Sequence, residues 1–358
     1  MNFSLSTNFI FLFLIFFCLF IVPQTIIPRS LVLYPVLFLI FVFYYFFRPN
    51  KISLRLFFLI SLNIFFGIAL HISFVYLALA FIFIDFLKHF SFNAKDIKIV
   101  YYIAAISVMF QLFTFALIGD ESRTALGTDP NFSGLIIFLL MIVGTRLNSK
   151  SVYVLFLLGL LLTASRMFLL MGALLILTKL LLQLKNFNKF LKFLHKKPLV
   201  MFFLINGISI FFISIFVGSY QLSTLSNYDS SFSRLFSFND FSNHGRFTTT
   251  LFWFSLILEN DFFWTNTLNV EVSESMRTIE LVPHHSAIYS VVSRSYFYLI
   301  MVIIFFATLA ENFKYSYLSA FLYIYFLGSV FLHGFYSPIF LTTLSLVLGI
   351  KISAENEK

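Results

Sequence analysis

The chain has 358 residues, 60% of them hydrophobic and only 11% charged, with 55 phenylalanines. Soluble globular domains carry about 25% charged residues, so this composition excludes an ordinary soluble enzyme and predicts a polytopic membrane protein. A lone cysteine, Cys18, excludes an intramolecular disulfide or a cysteine metal cluster, and the net charge of +9 follows from loop topology rather than from a nucleic-acid partner.

A spanning helix needs about 20 apolar residues. Taken in order, the apolar runs predict spans at 8–27, 30–47, 53–69, 71–87, 99–118, 132–146, 151–165, 167–183, 199–218, 295–310, 316–332 and 337–351. The N-terminal MNFSLSTNFIFLFL lacks a basic leader and reads as an uncleaved first span. The expected fold is therefore an all-α polytopic membrane protein of about twelve transmembrane helices. It forms a single membrane domain over 1–358, with a large loop at 219–294 between spans nine and ten.

Charge orients these spans. With the N-terminus in the cytoplasm, every lysine falls in a cytoplasmic segment, and Arg48, Arg55 and Arg146 join them. The outer segments keep only arginines: Arg29, Arg123, Arg166, Arg234, Arg246, Arg277 and Arg294. Topological bias depletes both residue types outside, so surviving arginines point to a need for a planar, bidentate donor on that face.

Five stretches carry candidate chemistry. Asp129, Pro130 and Asn131 read as an ordinary helix start, with Asn131 available to line a cavity. Arg166, in LLTASRMFLL, either reaches headgroups or faces a polar cavity that receives an anion. Arg246, Thr249, Thr250 and Trp253 share one face of an amphipathic helix, with Asn243 as its N-cap; that face anchors at the interface or binds substrate. Glu259 and Asp261 form an acid-x-acid pair that reads as a solvated helix end rather than a metal site. Pro283 sets an extended entry for His284 and His285, side chains able to take up a proton near neutral pH, and adjacent histidines do not face one way on a helix as metal ligands would.

The order of these features resembles the O-antigen polymerase (Wzy-type) and O-antigen ligase superfamily. The resemblance covers about residues 120–332. It rests on TDPN before a short span, ASR ending another, Arg246 and Trp253 separated by six residues in the loop, and Pro283, His284 and Ile288 before the next span. It implies a GT-C-like, metal-independent, inverting glycosyltransferase without cofactor in the bacterial inner membrane, both termini cytoplasmic and the large loop periplasmic. Arg166 and Arg246 would bind the substrate diphosphate, His284 would be catalytic, and Asn131, Trp253 and His285 would line the substrate, His285 standing where the family usually has Asn. The implied partners are an undecaprenyl-diphosphate-linked oligosaccharide, membrane lipid and a chain-length regulator protein, and no nucleic acid. The reaction expected is polymerisation of repeat units. The alternatives are a ligase that delivers glycan to lipid A core and, in another class, a lipid-linked oligosaccharide flippase.

Overall fold

The computed structural model describes residues 7–22, 29–47, 53–89, 91–118, 130–195, 197–218, 241–259, 283–313 and 315–352. Most of the expected loop, with Arg234, Asp261 and Arg277, and the Asp129 helix start lie outside the described residues.

The described residues are mostly helical. Helix α1 (Thr7–Phe16) runs into a π-helical turn (Phe17–Ile21), followed by α2 (Arg29–Phe47), α3 (Leu54–Ala69), α4 (Ser73–His89), α5 (Ala94–Ile118), α6 (Pro130–Arg146), α7 (Ser151–Thr163) and α8 (Arg166–Leu181). Then come α9 (Lys185–Leu194), α10 (Pro198–Gly218), α11 (Phe241–Glu259), α12 (Ser286–Arg294), α13 (Tyr296–Glu311), α14 (Leu318–Ser329) and α15 (Pro338–Gly349). Two short strands, β1 (Ser91–Phe92) and β2 (Lys351–Ile352), pair in parallel. By length and composition two described helices can cross a membrane, over Ala94–Leu117 and Pro198–Ile215, or up to three if one bent pair counts as a single span. Large apolar side chains line outer faces: Phe57, Phe58 and Ile68 on α3, Ile106 and Phe110 on α5, Phe211 and Phe212 on α10. An aqueous protein rarely leaves so much contiguous apolar surface open, whereas lipid-facing helices present it as a rule.

The chain packs as two compact units, one comprising Met1–Phe65, Val75–Lys179 and Leu341–Lys358, the other Phe66–Phe74 and Leu180–Phe340. In the first, α6 is enclosed along nearly its whole length. Its glycines permit that enclosure, as small residues do between membrane helices. A methyl group added at Gly144 would sit 2.7 Å from Val152 Cγ2 and closer still to the Tyr101 hydroxyl, which hydrogen bonds Ser151 at 2.6 Å. At Gly134 it would meet Phe168 Cβ at 2.7 Å. Gly144→Ala is therefore expected to cost about 1–3 kcal/mol through overpacking. Gly207→Ala on α10, with nothing within 4 Å, is expected to be neutral or slightly stabilising. Thermal unfolding in detergent checks the pair, and equal midpoints would contradict the packing.

Arg146, expected to serve as a cytoplasmic topological charge, is buried. Its guanidinium donates to the carbonyls of Val347 and Ile350, groups that the end of α15 leaves without an intrahelical partner. The fork geometry of arginine suits two converging carbonyls, which a lysine ammonium could not satisfy together.

In the second unit α10 packs against α11, α13 and α14, and α12 packs against α11 and α13. An aromatic cluster joins them: Phe202 lies 5.9 Å from Phe306, 5.3 Å from Phe326 and 5.8 Å from Tyr336, between ring centroids. The turn between α3 and α4 belongs to this unit, with Phe66 stacked on Phe297 at 4.9 Å and Phe74 edge-on to Tyr298 at 5.3 Å. Amphipathic α9 docks on α14 through His195 Nδ1 with Ser319 Oγ at 2.9 Å and the Tyr323 hydroxyl donating to Leu194 O at 2.6 Å.

Candidate functional site

The helix that carries Arg246 starts at Phe241, so Asn243 lies within its first turn rather than capping it. The stripe expected to anchor at the interface or bind substrate packs largely against protein. Thr249 and Thr250 are buried, and their hydroxyls donate to the carbonyls of Gly245 and Arg246 one turn back. Trp253 is 6% exposed and packs with Ile257 of α11 and with Ile288, Val291 and Val292 of α12. Short hydroxyl side chains can satisfy themselves on their own helix, so a threonine pair beside a tryptophan is buried at little cost. That packing sets α11 against α12, with Arg246 half-buried at the start of the stripe.

Pro283, His284 and His285 form that opening. His285 occupies the N-cap position of α12 in extended conformation and is fully buried. The Ser209 hydroxyl donates to Asn206 O at 2.7 Å, so the 3.1 Å contact between Ser209 Oγ and His285 Nε2 is donated by the imidazole. His285 is thereby a neutral, structural histidine. His284 is turned toward a different partner, His333, at 5.4 Å between ring centroids and nearly perpendicular. The Nδ1 atom of His284 is buried with no hydrogen-bond partner among the described residues.

His333 sits on a tightly tied turn between α14 and α15. Ser286 Oγ donates to Leu332 O and accepts from the Phe335 amide at 3.2 Å, linking the start of α12 to this turn. Tyr325 donates to Phe335 O, and Tyr298 donates to Tyr336 O at 2.8 Å. Gly334 closes the turn at φ 85°, a conformation that a side chain would strain. Tyr289, one turn into α12, lies 5.2 Å from the His333 ring. Arg294, at the end of the same helix, stacks over Tyr289 at 5.7 Å and Tyr298 at 4.7 Å, and its charge reaches His71 in the turn between α3 and α4. His284, His333, Tyr289 and Arg294 thus form one continuous cluster within the second unit, with Arg246 and His71 in electrostatic range of it.

Arg166 and Asn131 belong to the first unit. Helix α7 ends on Ala164 in the left-handed conformation (φ 44°), and Ser165 caps α8 by accepting the Phe168 amide at 3.3 Å. The Ser165 hydroxyl donates to Asn131 Oδ1 at 2.8 Å, so Asn131 fixes the cap that presents Arg166. Asn131 is buried and Arg166 half-buried.

Electrostatics separate the two adjacent histidines by cause. His284 is pushed down to about 3, first by burial, then by the positive charge of Arg246 and by His333. His285 is pushed down to about 4 by burial, which a backbone contact to Asn206 partly offsets. Both bind protons less readily in the folded chain than at the ordinary value of about 6.5 in the unfolded one. The unfolded state therefore takes up more protons below about pH 6.5, and stability falls as pH drops through that value toward 3–4. The thermal midpoint is expected to fall between pH 7 and pH 5, with a shallower slope in His285→Gln. A midpoint independent of pH over that window would contradict neutral burial of the pair.

Sequence reasoning missed His333, Tyr289 and Tyr298, and counted Arg294 and His71 only as loop or span-end residues. The one local signal for His333 is a histidine–glycine pair with a nearby proline interrupting an apolar block, in FLHGFYSP. Among the described residues no three His, Cys, Asp or Glu side chains are grouped to hold a metal ion. Comparison with protein-family models, curated proteins and solved structures finds no match to the chain.

Proposed function

We propose that the chain is a membrane-embedded, inverting glycosyltransferase that polymerises oligosaccharide repeat units carried on undecaprenyl diphosphate. The observation that carries this reading is that His284, its ring set against His333, lies within electrostatic range of Arg246. A cation that holds phosphate oxygens next to a neutral imidazole is the minimum that glycosyl transfer from a diphosphate requires. In the twelve-span topology the segments bearing His71, Arg246, His284, Arg294 and His333 would all lie on the periplasmic side of the inner membrane, and all five residues belong to the second unit.

In this reading the acceptor sugar hydroxyl attacks C1 of the donor sugar while His284 takes its proton. The bond from C1 to the diphosphate oxygen breaks, and the electron pair leaves with undecaprenyl diphosphate. The growing charge on that leaving group is met by Arg246. A diphosphate on Arg246 also brings negative charge toward His284 and raises its proton affinity, opposing the effect of the guanidinium. The assignment of Arg166 as a second diphosphate ligand rests on the resemblance, and its own substitution tests it. Chain-length control by a separate regulator protein belongs to the same proposal.

The test is synthesis by the purified protein from undecaprenyl-diphosphate-linked repeat units in the presence of EDTA. A ladder of polymers with release of undecaprenyl diphosphate is expected. Absence of any product would contradict transfer, and a ladder abolished by EDTA would contradict the metal-independent reaction.

A further inference from the structure

We infer that Arg294 forms a second oxyanion site, one that receives a phosphate group. The guanidinium lies over the rings of both Tyr289 and Tyr298, at 5.7 and 4.7 Å. Tyr298 cannot turn aside, because its hydroxyl is tied to Tyr336 O and its ring abuts Phe74. Nη1 of Arg294 is buried and, among the described residues, has neither a hydrogen-bond acceptor nor a carboxylate partner. Ser290 and Ser295 flank it in sequence, both 1% exposed, and their hydroxyls are likewise buried with no partner among the described residues. Ser290 precedes Arg294 by four residues and so lies on the same helix face.

Three buried donors without partners, Nη1 of Arg294 and the hydroxyls of the two serines near it in sequence, make an arrangement that a protein interior does not keep without compensation. The end of α12 supplies only a partial negative charge, about half an electron, and no acceptor for Nη1. A phosphate oxyanion meets all of these needs at once. It offers oxygens to the guanidinium fork and to the hydroxyls, and its charge balances that of Arg294. Ser295 adopts φ 107° between α12 and α13, a backbone conformation rarely held by a residue with a side chain, and this break ends α12 at Arg294.

This inference rests on the proposed function only in naming a polyprenyl diphosphate as one source of the phosphate; a phospholipid headgroup is the other. The test measures binding rather than polymer synthesis, so the two fail separately. The full chain in detergent is titrated with inorganic diphosphate, farnesyl diphosphate or phosphatidylglycerol, following the thermal midpoint. Stabilisation by the diphosphates identifies a diphosphate site, and stabilisation by phosphatidylglycerol alone identifies a headgroup site. In either case R294Q is expected to weaken the apparent affinity about tenfold or more, and R294K to weaken it measurably, because lysine lacks the planar fork and the ring stacking. No stabilisation of the wild-type chain by any of the three overturns the proposal however the variants fold. Wild-type affinity in a folded R294Q or R294K chain overturns it as well.

Discussion

His284→Ala is expected to reduce polymer synthesis by about 10²–10⁴-fold, the usual contribution of a positioned general base, with the protein still present in the membrane. The residue is half-buried, its ring is set against His333 by the tied turn at Leu332–Phe335, and Arg246 lies close enough to depress its proton affinity. A structural role alone would predict a different pattern. His285, its neighbour in sequence, is fully buried and donates to Ser209, so His285→Gln is expected to lower the thermal midpoint more than the turnover. Arg246→Gln separates the roles further. It removes one of the charges that hold His284 down, so the acid limb of the residual pH–rate profile is expected to move to higher pH. Polymer yield per molecule equal to wild type in His284→Ala would remove this residue from the chemistry.

Arg146→Met is expected to destabilise the first unit by about 3–5 kcal/mol, since two charge-assisted hydrogen bonds are lost and two carbonyls remain buried without partners. The methionine side chain fills much of the same volume, so the loss reports the hydrogen bonds rather than a cavity. Lys150→Met, at an exposed position four residues on, is expected to change stability by less than about 0.5 kcal/mol. Thermal unfolding of both variants in detergent compares them. If Arg146 served only as a topological charge, the two substitutions would have equal effects.

The positions of the helices were legible because long apolar runs separated by charge mark them. The segment expected at 199–218 is the helix Pro198–Gly218, and that expected at 132–146 is Pro130–Arg146. Legibility ended where the destination of a side chain depends on partners far along the chain. Threonine, tryptophan and arginine at helical spacing on α11 looked like the face of an interfacial amphipathic helix that anchors there or binds substrate. Only the packing of Trp253 against Ile288 and Val291 of α12 shows that the stripe faces inward. Arg146 looked like a loop charge because its acceptors, Val347 and Ile350, lie two hundred residues away. The candidate site divided in the same manner. Arg246 and His284 stood out as polar residues in an apolar chain, whereas His333 acquires meaning only through the Ser286 contact that brings its turn to α12. Helices α9 and α12 were not expected as separate elements, because each is too short to register as a span.

The most direct test of the polymerase reading is the destination of the glycan in the native host after deletion of the gene. Saccharide on undecaprenyl diphosphate is compared with saccharide on lipid A core. The account predicts loss of polymer from both pools, with single repeat units capping the core. Polymer that accumulates on undecaprenyl diphosphate while the core stays bare would contradict it in favour of a ligase. Unchanged glycan in both pools would contradict glycosyl transfer in this pathway altogether.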